Sequence, residues 1–201
     1  MLNDKTKKQV GDRPMLKNKN QGLTLIELIL GMAISSIIIG AIIIFMSTST
    51  KGYKAAESEI SLQTEAQSIM NQISECVLEG NNVKYDGNSL TIYHSDGNAA
   101  TETDKVVIIW FNSTNHNMYL YNTTEAGRVS VMNSIGTGTV SEENLMGEYV
   151  KAFTASPDRF TYDRTGKNST TLTIDIKMEY NNRKFSATQA IKLRNKIVNI
   201  P

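Results

Sequence analysis

The feature that most limits what this chain can fold into is an apolar run, LTLIELILGMAISSIIIGAIIIFM from Leu23 to Met46, which contains one charged residue, Glu27. As a helix the run extends roughly 36 Å at about 1.5 Å per residue, enough to cross a hydrocarbon core of about 30 Å. Lys5, Lys7, Lys8, Arg13, Lys17 and Lys19 all precede it. Basic residues on that side predict a cytoplasmic N-terminus and an extracytoplasmic body.

Glu27 is out of place in such a run, because a carboxylate in lipid is tolerated only where something offsets its charge. No Lys or Arg occurs between Asn20 and Thr50. A cationic partner therefore has to come from another chain, from lipid headgroups, or from a new amino terminus made by cutting near residue 22. The last needs the fewest additional assumptions.

The residues Gly22-Leu23-Thr24-Leu25-Ile26-Glu27-Leu28-Ile29, behind a basic leader, resemble the prepilin cleavage and methylation motif of the type IV pilin and pseudopilin family. That resemblance implies cleavage between Gly22 and Leu23 by a prepilin peptidase, and N-methylation of Leu23 by the same peptidase/N-methyltransferase. It also implies that Glu27 pairs with the amino terminus of a neighbouring subunit during assembly. Leu23 stands where the family more often has Phe or Met. The proline that major pilins carry late in the apolar run, around Ile44, is missing, since no proline occurs between Pro14 and Pro157. Without it the helix has no reason to kink there, which favours a minor pilin or pseudopilin over a major subunit. A plain signal anchor, or a signal peptide cut after Ser49, leaves Glu27 unexplained.

At 201 residues the chain has room for one ordinary domain and an N-terminal appendage. Of 21 basic and 20 acidic residues, six basic and two acidic precede Leu23, leaving 15 and 18 in the rest. A mildly acidic body with no Lys/Arg cluster in its sequence gives no footprint for nucleic acid. Cys76 is the sole cysteine, so no intrachain disulfide and no Cys-rich zinc site can form.

Beyond Met46 a helical pattern continues, with Ile69, Met70, Ile73, Cys76 and Val77 on one face,. Cys76 is expected to pack there. Gly80, Asn81 and Asn82 supply the stop, and a continuous helix from Thr24 to Glu79 would be about 84 Å long. Gly31 with Ser35, and Ser36 with Gly40, are small pairs that let helices approach closely. From Val83 the pattern turns to short strand-like runs: Ser89–Tyr93, Val106–Phe111, Met118–Tyr121, Arg128–Met132, Val150–Thr154 and Arg159–Tyr162. The clearest strand is Thr171–Tyr180, where Leu172, Ile174, Ile176 and Met178 alternate with polar residues. Asn181-Asn182 turns it back into Lys184–Leu193. The segment from Asn133 to Gly147 reads as a loop. The fold class expected is α+β, a long N-terminal helix packed on an antiparallel sheet.

Catalytic chemistry is hard to find in the sequence. His94 and His116 lie apart with no metal-binding spacing. Asp96, Asn98, Glu102 and Asp104 form an oxygen-rich loop without EF-hand spacing. Trp110, Tyr119 and Tyr121 read as sheet residues, and the sequons at Asn112, Asn122 and Asn168 as chance matches. No phosphate loop or nucleophile elbow occurs.

The expectation is a non-enzymatic minor pilin without a cofactor, in four parts: a basic leader (1–22), a transmembrane or filament-core helix (23–46), an amphipathic extension (47–80) and an extracytoplasmic β-rich domain (81–201). Its implied partners are other pilin subunits, the prepilin peptidase and an inner-membrane assembly platform. The alternatives are a pseudopilin of a type II secretion or DNA-uptake system and, from another class, a signal-anchored extracytoplasmic binding domain.

Overall fold

The computed structural model describes residues 23–97, 99–138, 140–160 and 170–200. In chain order its elements are α1 (Leu25–Glu79), β1 (Asn82–Tyr85), β2 (Ser89–His94), β3 (Lys105–Asn112), β4 (Asn117–Thr124), α2 (Glu125–Gly136), a 3₁₀ turn (Glu142–Asn144), β5 (Leu145–Gly147), β6 (Val150–Ser156), β7 (Thr171–Tyr180) and β8 (Arg183–Lys192). The layout is α+β and pilin-like: residues 50–79 of a long N-terminal helix pack with antiparallel sheet. Contacts divide the chain between Ser49 and Thr50.

With no proline to interrupt it, α1 runs as one helix to Glu79,. Its stop is set by packing: a Cβ at Gly80 would lie 2.6 Å from Ile92 Cγ2, so only glycine lets the chain turn against β2. In residues 50–79 the buried face of α1 is Ser58, Leu62, Ala66, Ile69, Met70, Ile73 and Val77, a stripe at helical spacing. Cys76 stands beside it, half-buried and packed on the core.

The strands form two sheets rather than one, ordered β1-β2-β3-β4-β5 and β6-β7-β8, antiparallel throughout. The main core brings the α1 stripe together with Leu90, Ile92, Val107 and Ile109 of the larger sheet and Leu172, Ile174, Ile176 and Met178 of the smaller. Burying one such aliphatic side chain stabilises by about 1.5–3 kcal/mol, against about 1 kcal/mol for a typical hydrogen bond. Apolar packing therefore dominates. The polar alternates of β7 face outward, as the alternation requires,.

Two readings of the sequence are corrected here. Arg128–Met132 is part of α2, not a strand. Val129 and Val131 suggest β, yet the hydroxyl of Thr124 caps the helix by accepting from the N–H of Gly127 at 3.3 Å,. Arg128 also pairs with Glu125 one turn back at 2.9 Å,. The segment Asn133–Gly147 is likewise not one loop, since it holds the end of α2, the 3₁₀ turn and β5. Helix α2 covers the second face of the larger sheet, where Ile135 packs with Tyr93, Val106 and Ile108. Strand β3 is thus buried on both faces, and Val106 to Ile109 read as a continuous apolar run,.

Strand β1, which no single run announced, begins at Asn82. Of the expected strand Arg159–Tyr162, Arg159 forms an isolated bridge with Lys84, while residues 161 and 162 lie outside the described residues. The β7–β8 turn matches expectation, with Asn181 at φ 48° and Asn182 at φ 62°, the positive pair a two-residue hairpin demands.

Asparagines pin the C-terminal segment. Buried Asn82 donates through Nδ2 to the carbonyls of Phe160 at 3.1 Å and Val198 at 2.7 Å. Its Oδ1 accepts from the N–H groups of Val83 at 2.8 Å and Phe160 at 3.2 Å. Asn81 donates to the Lys196 carbonyl and Asn195 to that of Glu79. These bonds do what a disulfide cannot do in a chain with one cysteine.

Candidate functional site

The site begins at the first turn of α1. The N–H and the hydroxyl of Thr24 each donate to Oε2 of Glu27, at 2.9 Å, and Thr24 Oγ1 accepts from the N–H of Glu27 at 3.3 Å. The N–H of Leu28 donates to the Thr24 carbonyl at 3.1 Å. Thr24 and Glu27 thus make a capping box, each satisfying a backbone donor the helix start leaves open.

The sequence reading sought a cationic partner for Glu27, in another chain, in lipid headgroups or at a new amino terminus near residue 22, and missed the cap that Thr24 supplies. The signal was present, since Thr-x-x-Glu before an apolar run marks a helix start. Hydrogen bonds from a hydroxyl and an amide orient the carboxylate, but they do not neutralise it. A cation is still required if the helix enters lipid.

Glu27, Gly31 and Ser35 succeed one another at four-residue spacing and share one helix stripe. Together with Leu23, Leu28 and Ser36 they line a shallow groove of about 490 Å³. An added Cβ at Gly31 or Gly40 would meet nothing within 4 Å, so packing within this chain does not demand glycine at either place. From Leu23 to Ser49 every side chain is exposed apart from half-buried Gly40. The helix is long and apolar enough to cross a membrane. Gly22 lies outside the described residues.

The remaining candidates do not converge. His94 ends β2 beside Asp96, Asp104, Lys105 and Glu79 in a polar basin. Burial, then the charge of Lys105, pulls its pKa below the usual imidazole value. His116 sits elsewhere, in the β3–β4 turn at φ 63°. Asp104 is held below the ordinary carboxylate range by hydrogen bonds from Ser95 and Thr101, and Asn98 lies outside the described residues. Among the described residues no three His, Cys, Asp or Glu side chains gather as metal ligands would. Burial pushes the Cys76 thiol above its usual value, leaving little thiolate at neutral pH.

Trp110 and Tyr119 stack with ring centroids 5.6 Å apart on the α2 side of the larger sheet, where Tyr121 also packs. They build sheet, as expected. Of the sequon asparagines, Asn112 turns its Oδ1 to the N–H of Thr114 at 2.9 Å, Asn122 is in β4, and Asn168 lies outside the described residues.

No curated protein and no solved structure matches the chain. Residues 17–43 match the family model described as the prokaryotic N-terminal methylation motif. That stretch spans the last basic residues before the apolar run, the capping box and most of the run, and in type IV pilins the motif implies assembly with other pilins and action of a prepilin peptidase. The prepilin-type motif at the head of the apolar helix, with the α+β layout behind it, makes this chain similar to type IV pilins and pseudopilins over residues 17–43.

Proposed function

We propose that this chain is a minor pilin, a structural subunit of a type IV pilus-like filament. The basic leader stays cytoplasmic, and prepilin peptidase cuts between Gly22 and Leu23 and methylates the new amino group of Leu23. The body, from about residue 81 onward, lies outside the cytoplasmic membrane. An assembly platform in that membrane extracts the subunit into the filament, where Glu27 pairs with the amino terminus of a neighbour.

The observation that carries this reading is the methylation motif at residues 17–43. Two further features support it. Glu27 is the one charge in the apolar run, and it shares a stripe with small residues that the chain's own packing leaves open. The absence of a proline in α1 favours a minor subunit over a major one. A pseudopilin would share these features and differ in where its filament ends, so deletion followed by motility, secretion and DNA-uptake assays separates the two.

Mass spectrometry of the intact chain and its N-terminal peptide, from native membranes, tests the core of the proposal. A chain beginning at N-methyl-Leu23 is expected. One beginning at Met1 or Thr50 would overturn the filament reading and leave a tethered or secreted domain.

A further inference from the structure

We propose that a lysine-lined groove on the outer face of the smaller sheet is a subunit contact, filled by the exposed Glu142–Glu143 turn of a second copy of this chain. The inference rests on the filament reading above and adds a specific contact to it.

The groove has a volume of about 320 Å³ and draws Lys151, Lys177 and Lys184 together with Glu179, Phe185 and Ser186. The register explains the convergence. Lys177 stands opposite Ser186, and Glu179 opposite Lys184. The β6–β7 pairing slips between Val150 and Ala152, so Lys151 falls in a bulge, a device that re-aims a side chain. All three lysines are exposed, and none forms an ion pair with a described residue.

Three ammonium groups line the groove against one carboxylate, with Lys151 Nζ 3.4 Å from His116 Nε2, on a body whose balance from Leu23 onward is acidic, 15 basic to 18 acidic residues. Such a patch is stabilised by a complementary surface. No arginine fork lines the groove, and Phe185 is half-buried against the core. It therefore lacks the bidentate and stacking groups that suit nucleic acid.

The same chain carries the complement. Glu142 and Glu143 are exposed on the 3₁₀ turn, whose shape is fixed by Ser141: its Oγ accepts from the Glu143 N–H at 3.4 Å and its carbonyl from Asn144 at 3.1 Å. Neither glutamate pairs with a described residue. Leu145, next in sequence, is 39 % exposed. Groove and turn are different surfaces, so their union is heterologous and propagates from copy to copy, as an open filament requires, instead of closing a dimer.

The test uses full-length chain in its cells of origin, in a Cys76→Ala background. One tagged copy carries Ser186→Cys and a second, differently tagged, carries Ser141→Cys; a short bismaleimide is applied to sheared filaments. A mixed dimer linked between positions 186 and 141 is expected. Lys177→Glu with Lys184→Glu should lower its yield about tenfold, and Glu142→Lys with Glu143→Lys on the other copy should restore most of it.

A processed chain present in filaments that gives no mixed dimer overturns the contact while leaving the pilin reading standing. So does capture of Ser186→Cys by a different protein, or a dimer indifferent to the charge reversals. An unprocessed chain absent from filaments ends both readings.

Discussion

The two halves of α1 are one helix by hydrogen bonding and opposites by environment. Between residues 25 and 49 apolar side chains such as Ile37 (73 %) and Ile44 (70 %) are exposed, whereas between 50 and 79 Ile69 and Ile73 are fully buried. The second half has its partner encoded in the same polypeptide. A helix apolar on every side needs a partner from outside, lipid or other helices. Substitutions in the two halves should therefore fail in different assays.

The largest effect belongs at the start of the first half. Gly22→Val is expected to stop maturation outright, because a β-branched side chain should not fit a peptidase site adapted to glycine. Fully mature chain in that variant, by N-terminal peptide mass spectrometry, would break the motif argument. Glu27→Ala should leave insertion and cleavage largely intact and lower incorporation into sheared filaments by more than about a hundredfold, since removing one partner of a buried charge pair costs about 3–5 kcal/mol. Wild-type incorporation would remove Glu27 from assembly.

In the second half the assay is folding. Ile73→Ala should cost about 2–5 kcal/mol, read by urea unfolding of the full chain in detergent through Trp110, the sole tryptophan, which stacks on Tyr119 within the body. Ile38→Ala, in the first half, should move that transition by less than about 0.5 kcal/mol. Equal shifts would erase the distinction between the halves.

That distinction also explains what could be read without coordinates. The first half was legible because its character follows from composition: a run with one charge behind six cations admits few readings, and residues 17–43 carry the methylation motif. The stripe around Ile73 and the β7–β8 hairpin were legible because burial on one side writes a period into the sequence. Strand β3 was legible as the run Val106–Phe111, but helix α2, which covers it, was not. With α2 packed on its outer face, β3 loses alternation, and α2 in turn carries valines that suit a strand. Strand β1 starts at Asn82, whose importance lies in partners 78 and 116 residues away, contacts no local pattern announces.

Asn82 sharpens the comparison from the polar side. Asn82→Leu keeps the volume roughly and removes four hydrogen bonds, those to two carbonyls and those from two N–H groups. A loss of about 1–3 kcal/mol is expected, with early exposure of the C-terminal segment to proteases. Unchanged stability and protease resistance would show that packing alone holds that segment.

The smallest effect separates two roles of one carboxylate. Thr24→Val keeps the shape of Thr24 and removes the hydroxyl that both donates to Glu27 and accepts from its N–H, so the first turn of α1 should fray, at a cost of about 1 kcal/mol. Amide exchange of Glu27 and Leu28 in micelles should quicken accordingly. The charge of Glu27 remains, however, and with it the means to meet an amino terminus on another subunit. Incorporation of Thr24→Val should therefore fall by no more than about fivefold, the equivalent of that lost cap, and stay above that of Glu27→Ala. If the two variants assemble equally poorly, Glu27 acts by starting the helix rather than by pairing with a neighbour, and the first half of α1 is more self-sufficient than its exposed surface suggests.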